Sequence, residues 1–143
     1  MHQSLSLTEV SHVIALATAP AFLLGGIVGF LSVLLGRMSH IVERLRFLDN
    51  IDDQDQRRAR LKADMPVLRR RATLVHLSIS LSVLSGIETA LLVVIAFVGA
   101  LLDLELEIPI AALFVISLLT FMAALGLMVQ EAVIGLGEFK RYV

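Results

Sequence analysis

The sequence predicts an all-α integral membrane protein with three transmembrane helices, the first two extended into a cytoplasmic antiparallel helical hairpin. Its 143 residues are 57% hydrophobic and only 17% charged, with a mean hydropathy of +0.88. A soluble domain of this size exposes too much surface to hide so many apolar side chains. Three stretches are almost free of ionisable side chains, and each exceeds the roughly 20 residues that cross a bilayer as a helix. Solubility in water is therefore excluded.

These stretches divide a single membrane domain, residues 1–143, into spans and connecting segments. The predicted segments are span one at 10–35, the hairpin at 36–71, span two at 72–102 and span three at 108–136. Each span must be helical, because in lipid every backbone amide needs a partner within its own segment. The absence of cysteine excludes disulfides, thiolate nucleophiles and iron–sulfur ligation.

Local signals mark the helix ends. Ser6 and Glu9 form a predicted capping box at the start of the first helix. Pro20 removes a backbone donor inside span one, so we expect a mild kink there. Pro109 begins span three at a position where a missing amide costs nothing.

The basic residues are distributed unevenly and predict the orientation in the membrane. Ten of the twelve lie between spans one and two, namely Arg37, Arg44, Arg46, Arg57, Arg58, Arg60, Lys62, Arg69, Arg70 and Arg71. The other two, Lys140 and Arg141, follow span three, whereas the link between spans two and three has three acids and no base. The positive-inside rule then places the N-terminus outside, and segment 36–71 and the C-terminus in the cytoplasm.

Segment 36–71 has the pattern of two amphipathic helical arms. The apolar positions at helical spacing are Ile41, Leu45 and Leu48 on the outgoing arm and Leu61, Met65 and Leu68 on the returning arm. Asp49–Asp53 is the predicted turn, Asp53 with Gln56 is the predicted cap, and Pro66 is expected to bend the returning arm. The charged faces of this hairpin are the surface through which a larger membrane complex would be bound.

Small residues form one face of span one. They are Ala17, Ala21, Gly25, Gly29, Ser32 and Gly36, and they cover about a third of the helix circumference. Such a face lets two helix backbones approach closely in lipid. It is interpreted as a packing face, either against the protein's own second or third span or against another subunit.

Hydroxyl side chains form a seam along span two. Its members are Ser78, Ser82, Ser85 and Thr89. Small hydroxyl residues at this spacing pack tightly and bond across helices. The alternative is a polar stripe that lines a water-filled path.

Glu88 lies near the middle of span two, one turn after Ser85. A carboxylate at this depth is costly, so it must face a partner or a cavity. We consider two roles, a protonated acid bonded to Ser or Thr across a helix interface and a group that handles cations or protons.

Charged residues at the span ends have simpler roles. Glu131 is predicted to pair with Arg37 and His76 where the spans end, with His40 at a similar depth. Arg69, Arg70 and Arg71 are assigned to anionic lipid headgroups. The histidines do not cluster with acids at ligand spacing, so no metal site is predicted, and nothing in the sequence indicates a cofactor or nucleic acid.

The order of these features resembles a family of small bacterial membrane proteins known as a domain of unknown function, number 2721. The segments that carry the resemblance are Pro20–Leu24, Gly36–Leu48, Leu68–His76, the serine-rich second span and Gln130 with Glu131. The residues that correspond to the family's arginines and late acid are Arg37, Arg44, Arg46, Arg70, Arg71 and Glu131. The resemblance covers about Leu7 to Leu136, supports the three-span topology and a bacterial inner-membrane location, and implies no activity.

Two functional hypotheses follow, both for a self-associating protein. The first is a homo-oligomeric pore that conducts ions, with the hydroxyl seam and Glu88 at its axis. The alternative is a non-conducting scaffold or accessory subunit of a larger membrane complex. An enzyme is not expected, because no acid/base pair or nucleophile can be placed at matched depth.

Overall fold

Three long α-helices account for most of the chain. The computed structural model describes residues 6–51 and 60–142. Helix α1 is Leu7–Asp49, α2 is Met65–Leu101 and α3 is Glu107–Tyr142, and the described residues contain no strand. Helices of 36 to 43 residues are roughly 55–65 Å long, against a hydrocarbon core of roughly 30 Å. All three are long and apolar enough to cross a membrane, which confirms the prediction of an all-α protein with three membrane-length helices and is typical of a multi-pass membrane protein.

The predicted signals at the helix starts have the expected geometry. The Ser6 amide donates to Glu9 Oε2 at 2.7 Å, and the Glu9 amide donates to Ser6 Oγ at 3.3 Å, which is a reciprocal capping box. Helix α1 continues through Pro20, whose side chain is buried. Pro109 lies in the first turn of α3, where its missing amide has no intrahelical acceptor to lose.

The returning arm breaks just before α2. Residues 60–62 are helical, and Ala63 and Asp64 form a turn in which their amides donate to the carbonyls of Arg60 and Leu61. Pro66 is the second residue of α2 and therefore lies in its first turn, not at a bend within the helix. Of the predicted turn Asp49–Asp53, residues 49–51 are described; the remainder and the capping residues Asp53 and Gln56 lie outside the described residues.

A Schellman motif ends α2. Asp103 has a φ of 55°, and the Leu104 amide donates to the Gly99 carbonyl at 2.9 Å. A Cβ atom on Gly99 would lie 2.9 Å from Leu106 Cδ1, so a larger residue there would have to push the Leu106 side chain aside. The acidic link predicted between spans two and three is thus a tight, hydrogen-bonded connection.

The chain divides into two compact units, and each helix contributes residues to both. The first unit comprises Met1–Gly29 with Ser82–Phe121, and the second comprises Phe30–Leu81 with Met122–Val143. In the first unit, a Cβ on Gly86 of α2 would lie 3.8 Å from Ile27 Cγ2 of α1, so the two helices pack closely there.

The second unit contains an apolar core. Its buried members are Leu34, Ile41, Leu48, Ile51, Leu68 and Val75. The α1 and α2 members recur every seven residues, which is the spacing of helices packed as in a coiled coil. Full burial of one such side chain stabilises a fold in water by about 1.5–3 kcal/mol. The predicted apolar strips of segment 36–71 contribute to this core except for Leu61, which is 37% exposed.

Candidate functional site

A charged cluster lies in the second unit around Glu131 of α3. The Glu131 side chain is fully buried, and each of its carboxylate oxygens accepts a hydrogen bond from a different arginine. Arg37 Nε of α1 donates to Oε2 at 2.7 Å, and Arg71 Nε of α2 donates to Oε1 at 2.9 Å. Arg71 Nη1 also donates to Glu138 Oε2 at 2.8 Å. One carboxylate thus joins all three helices through charge-assisted bonds, which are about twice as strong as neutral ones.

Local sequence on α3 makes room for this cluster. Glu131, Gly135 and Glu138 follow at steps of four and three, which places them on one helix face. A Cβ on Gly135 would lie 3.0 Å from Arg71 Nη2 and 3.2 Å from its Cζ. The missing side chain at Gly135 therefore lets the Arg71 guanidinium lie against α3 between the two acids.

The cluster differs in membership from the predicted ion pair. The structure brings Arg37 and Glu131 together, whereas His76 is exposed and makes no ion pair with any described residue. Arg71, which was assigned from the sequence to lipid headgroups, pairs with Glu131 in place of His76 and also pairs with Glu138. Arg69 and Arg70 are exposed, as headgroup contacts would have to be. Glu138 was not predicted from the sequence, although its position seven residues after Glu131 was a usable signal.

The hydroxyl seam of α2 is fully buried. Ser78, Ser82, Ser85 and Thr89 all have an exposure of 0%. In the second unit Ser78 Oγ donates to the Ala124 carbonyl of α3, and in the first unit Ser85 Oγ donates to the Ser117 carbonyl, both at 2.7 Å. Thr89 Oγ1 donates to the Ser85 carbonyl at 2.7 Å. The Ser78 and Ser85 bonds tie α2 to α3, the Thr89 bond lies within α2, and all three use donors that a water-filled path would need.

Glu88 has an unsatisfied carboxylate oxygen. Its residue is half-buried in the first unit, and Oε2 is buried without a hydrogen-bond partner among the described residues. A buried acceptor without a donor costs about 1–3 kcal/mol, and more when charged. This oxygen can therefore accept a donor, a proton or a cation. Within the described chain, His, Asp and Glu side chains form no cluster of three suited to a metal.

Most of the small-residue face of α1 is exposed in the described part of the chain. Ala21, Gly25, Gly29, Ser32 and Gly36 are exposed, and Ala17 is half-buried. A Cβ added at Gly25, Gly29 or Gly36 would meet no atom within 4 Å. The buried positions of α1 are instead the larger residues Ile27, Leu34 and Ile41.

Three membrane-length helices joined by buried polar bonds define a small, multi-pass, all-helical membrane protein. The profile of a family described as "Protein of unknown function (DUF2721)" matches residues 17–140, which is most of the chain. The chain belongs to this family, which confirms the resemblance derived from the sequence. Comparison with curated proteins and with solved structures gives no match.

Proposed function

We propose that this chain is a non-conducting, homo-oligomeric scaffold of the bacterial inner membrane. The observation that carries the proposal is the open glycine face of α1, where Gly25 and Gly29 have no neighbour within 4 Å of an added Cβ. Glycines four residues apart allow close helix approach in lipid, where no hydrophobic force drives helices together. A second copy of the same face is the occupant that suits it, because a symmetric contact uses one patch twice.

The internal polar contacts support a structural role over conduction. Ser78 and Ser85 donate to carbonyls of α3, and Arg37 and Arg71 bind Glu131. A path lined by these groups would have to break bonds that hold the helices together. We propose that the scaffold's basic segment 36–71 is the surface that binds a larger membrane complex.

Glycine substitution in α1 tests self-association against a matched control. Gly29→Leu places a large side chain on the proposed interface, whereas Gly126→Leu does so on α3 at a glycine that also has open space around it. We expect Gly29→Leu to convert the oligomer to monomer in neutral detergent, measured by light scattering, and Gly126→Leu to leave it intact. A wild-type monomer, or equal behaviour of the two variants, would contradict the proposal.

The proposed orientation has the N-terminus outside, and segment 36–71 and the C-terminus in the cytoplasm. The chain has no cysteine, so a single introduced cysteine reports one position. We expect an impermeant maleimide to label Glu105→Cys on intact cells and Asn50→Cys only after lysis. The reverse pattern would overturn the orientation.

A second candidate function, proton or cation conduction by the oligomer, is favoured by Glu88. Its buried and unpartnered Oε2 is the feature of the described first unit that the scaffold role leaves unexplained. Carboxylates repeated around an oligomer axis would attract cations or relay protons.

Flux through proteoliposomes distinguishes the two functions. If the oligomer conducts, wild-type protein should give a proton or potassium flux that Glu88→Gln reduces. Glu105→Gln, which changes an exposed acid of the link, should leave that flux unchanged. Silent vesicles that nonetheless contain the oligomer would support the scaffold and reject conduction.

A further inference from the structure

A basic cleft lies in the second unit between α1 and α2. Its volume is about 270 Å³, and it is lined by Arg37, His40, Ile41, Arg44, Leu68 and Arg71. The three polar residues on α1 follow at steps of three and four, so they share one face of the helix. The apolar floor is well packed, because Ile41 and Leu68 are 4% and 1% exposed and belong to the core.

The charge of this cleft is positive. Among the described residues, no acidic side chain lines it. Glu131 and Glu138 neutralise the two arginines they bind, Arg37 and Arg71. Arg44 then adds a further positive charge, since it makes no ion pair with any described residue, and His40 adds a further donor.

The arginines are held in place before any ligand arrives. Glu131 binds Arg37 through Nε and Nη2, which leaves Nη1 without an acceptor among the described residues. Arg71 is fixed from two sides by Glu131 and Glu138 and forms part of the wall. A preorganised guanidinium loses less side-chain entropy when it binds an anion. Phosphate oxygens suit these donors, because arginine pairs with them through strong, charge-assisted bonds.

We propose that this cleft binds a phosphate group. Arg37 is the second residue after the apolar stretch that ends at Leu35, which would put the Arg37 end of the cleft at the depth of lipid headgroups. An anionic phospholipid with a terminal phosphate, or a soluble phosphate, offers the same chemistry to the same donors. The site is distinct from Arg69 and Arg70, which line no part of it.

Titration with two probes tests the site. The full chain in neutral detergent is titrated with phosphatidic acid and, separately, with inorganic phosphate, and binding is measured by calorimetry.

Arg44→Gln removes a cleft residue outside the Glu131 cluster, and Arg46→Gln removes the same charge from α1 outside the cleft. We expect Arg44→Gln to weaken binding about tenfold or more, as loss of a charge-assisted bond would, and Arg46→Gln to change it by less than about twofold. His40→Ala, also outside the ion-pair cluster, should weaken binding with helicity by circular dichroism unchanged.

Each outcome decides the proposal. If phosphatidic acid binds, inorganic phosphate displaces it and Arg44→Gln weakens its binding, the result supports a headgroup site. Binding of inorganic phosphate alone with the same sensitivity supports a soluble phosphate ligand. If neither probe binds, or if the Arg44 and Arg46 variants weaken binding equally, the cleft is no phosphate site and only general attraction to anions is present.

Discussion

Both units have a neutral bond from a serine of α2 to a carbonyl of α3, but only the second unit adds buried ion pairs among the described residues. In the first unit, α2 and α3 are linked by the neutral bond from Ser85 Oγ to the Ser117 carbonyl. In the second unit, Glu131 binds Arg37 and Arg71 beside an apolar core that includes Leu34 and Ile41. Removing one partner of a buried ion pair leaves an uncompensated charge, whereas a lost hydroxyl leaves a carbonyl that still has its helical bond. The second unit should therefore be the more sensitive to single substitutions.

The difference follows from where a charged side chain can be accommodated along a membrane helix. A serine or threonine can satisfy itself on a backbone carbonyl, as Thr89 does on Ser85 in the first unit. An ion pair needs several groups desolvated together, and its free energy rises steeply toward the bilayer centre. Arg37 and Arg71 flank the predicted hydrocarbon stretches, so the strongest polar bonds lie at span ends.

The largest expected effect is that of Glu131→Gln. The substitution leaves Arg37 and Arg71 without their shared counter-ion, and only Arg71 retains an acid, Glu138. We expect the free energy of unfolding to fall by about 3 kcal/mol. SDS titration of the protein in neutral detergent micelles measures it.

Glu105→Gln is the control for that experiment. Glu105 is exposed in the link, and its substitution should change the free energy of unfolding by less than about 0.5 kcal/mol. Equal effects of the two variants would mean that the ion pairs do not make the second unit more sensitive to substitution than the first.

Gly135 and Gly137 of α3 form a matched pair for the next effect. A Cβ at Gly135 would press on Arg71, which two acids prevent from moving aside, whereas a Cβ at Gly137 meets nothing within 4 Å. We expect Gly135→Ala to destabilise by about 1–2 kcal/mol through overpacking and Gly137→Ala to stabilise by up to about 1 kcal/mol through helix propensity. The same unfolding titration applies, and stabilisation by both variants would show that Arg71 is not fixed in this position.

The spans and their ends could be predicted from the sequence because they depend on local chemistry. Stretches without charge define the three helices, and Ser6 with Glu9 forms the predicted cap within four residues of chain. Pro109 was likewise informative, since a proline in a first turn needs no tertiary contact to explain it.

The sequence does not show in the same way which face of each helix packs against the other helices and which face is exposed. In lipid an exposed face is as apolar as a buried one, so hydrophobicity carries no contrast between them. The packing face of α1 was therefore predicted from its glycines, although the buried residues of this helix include Ile27 and Leu34. Arg71 was ambiguous for the same reason, since a span-end arginine suits a lipid phosphate and a carboxylate equally well. The positions of Glu131 and Glu138 on α3 decide between them.

Ser85→Ala tests the neutral bond of the first unit. The variant loses the donor to the Ser117 carbonyl without creating a buried charge. We expect the free energy of unfolding to fall by about 0.6 kcal/mol, which is typical of hydrogen bonds between membrane helices. Ser80→Ala is the control, because Ser80 is exposed and donates to the His76 carbonyl of its own helix. A loss as large as that of Glu131→Gln would remove the distinction between the units.

The smallest effect concerns Asp103, whose φ of 55° ends α2 in the first unit. An L-residue with a side chain pays roughly 1–2 kcal/mol in this left-handed conformation, and Asp somewhat less because its side chain bonds locally. We expect Asp103→Gly to raise the free energy of unfolding by about 0.5 kcal/mol and Asp103→Ala to lower it by a similar amount. The same titration separates the two variants, since both remove the carboxylate and differ only in the Cβ. If Gly and Ala behave alike, the turn does not use the left-handed conformation, and the first unit owes its α2–α3 connection to contacts such as Gly99 against Leu106.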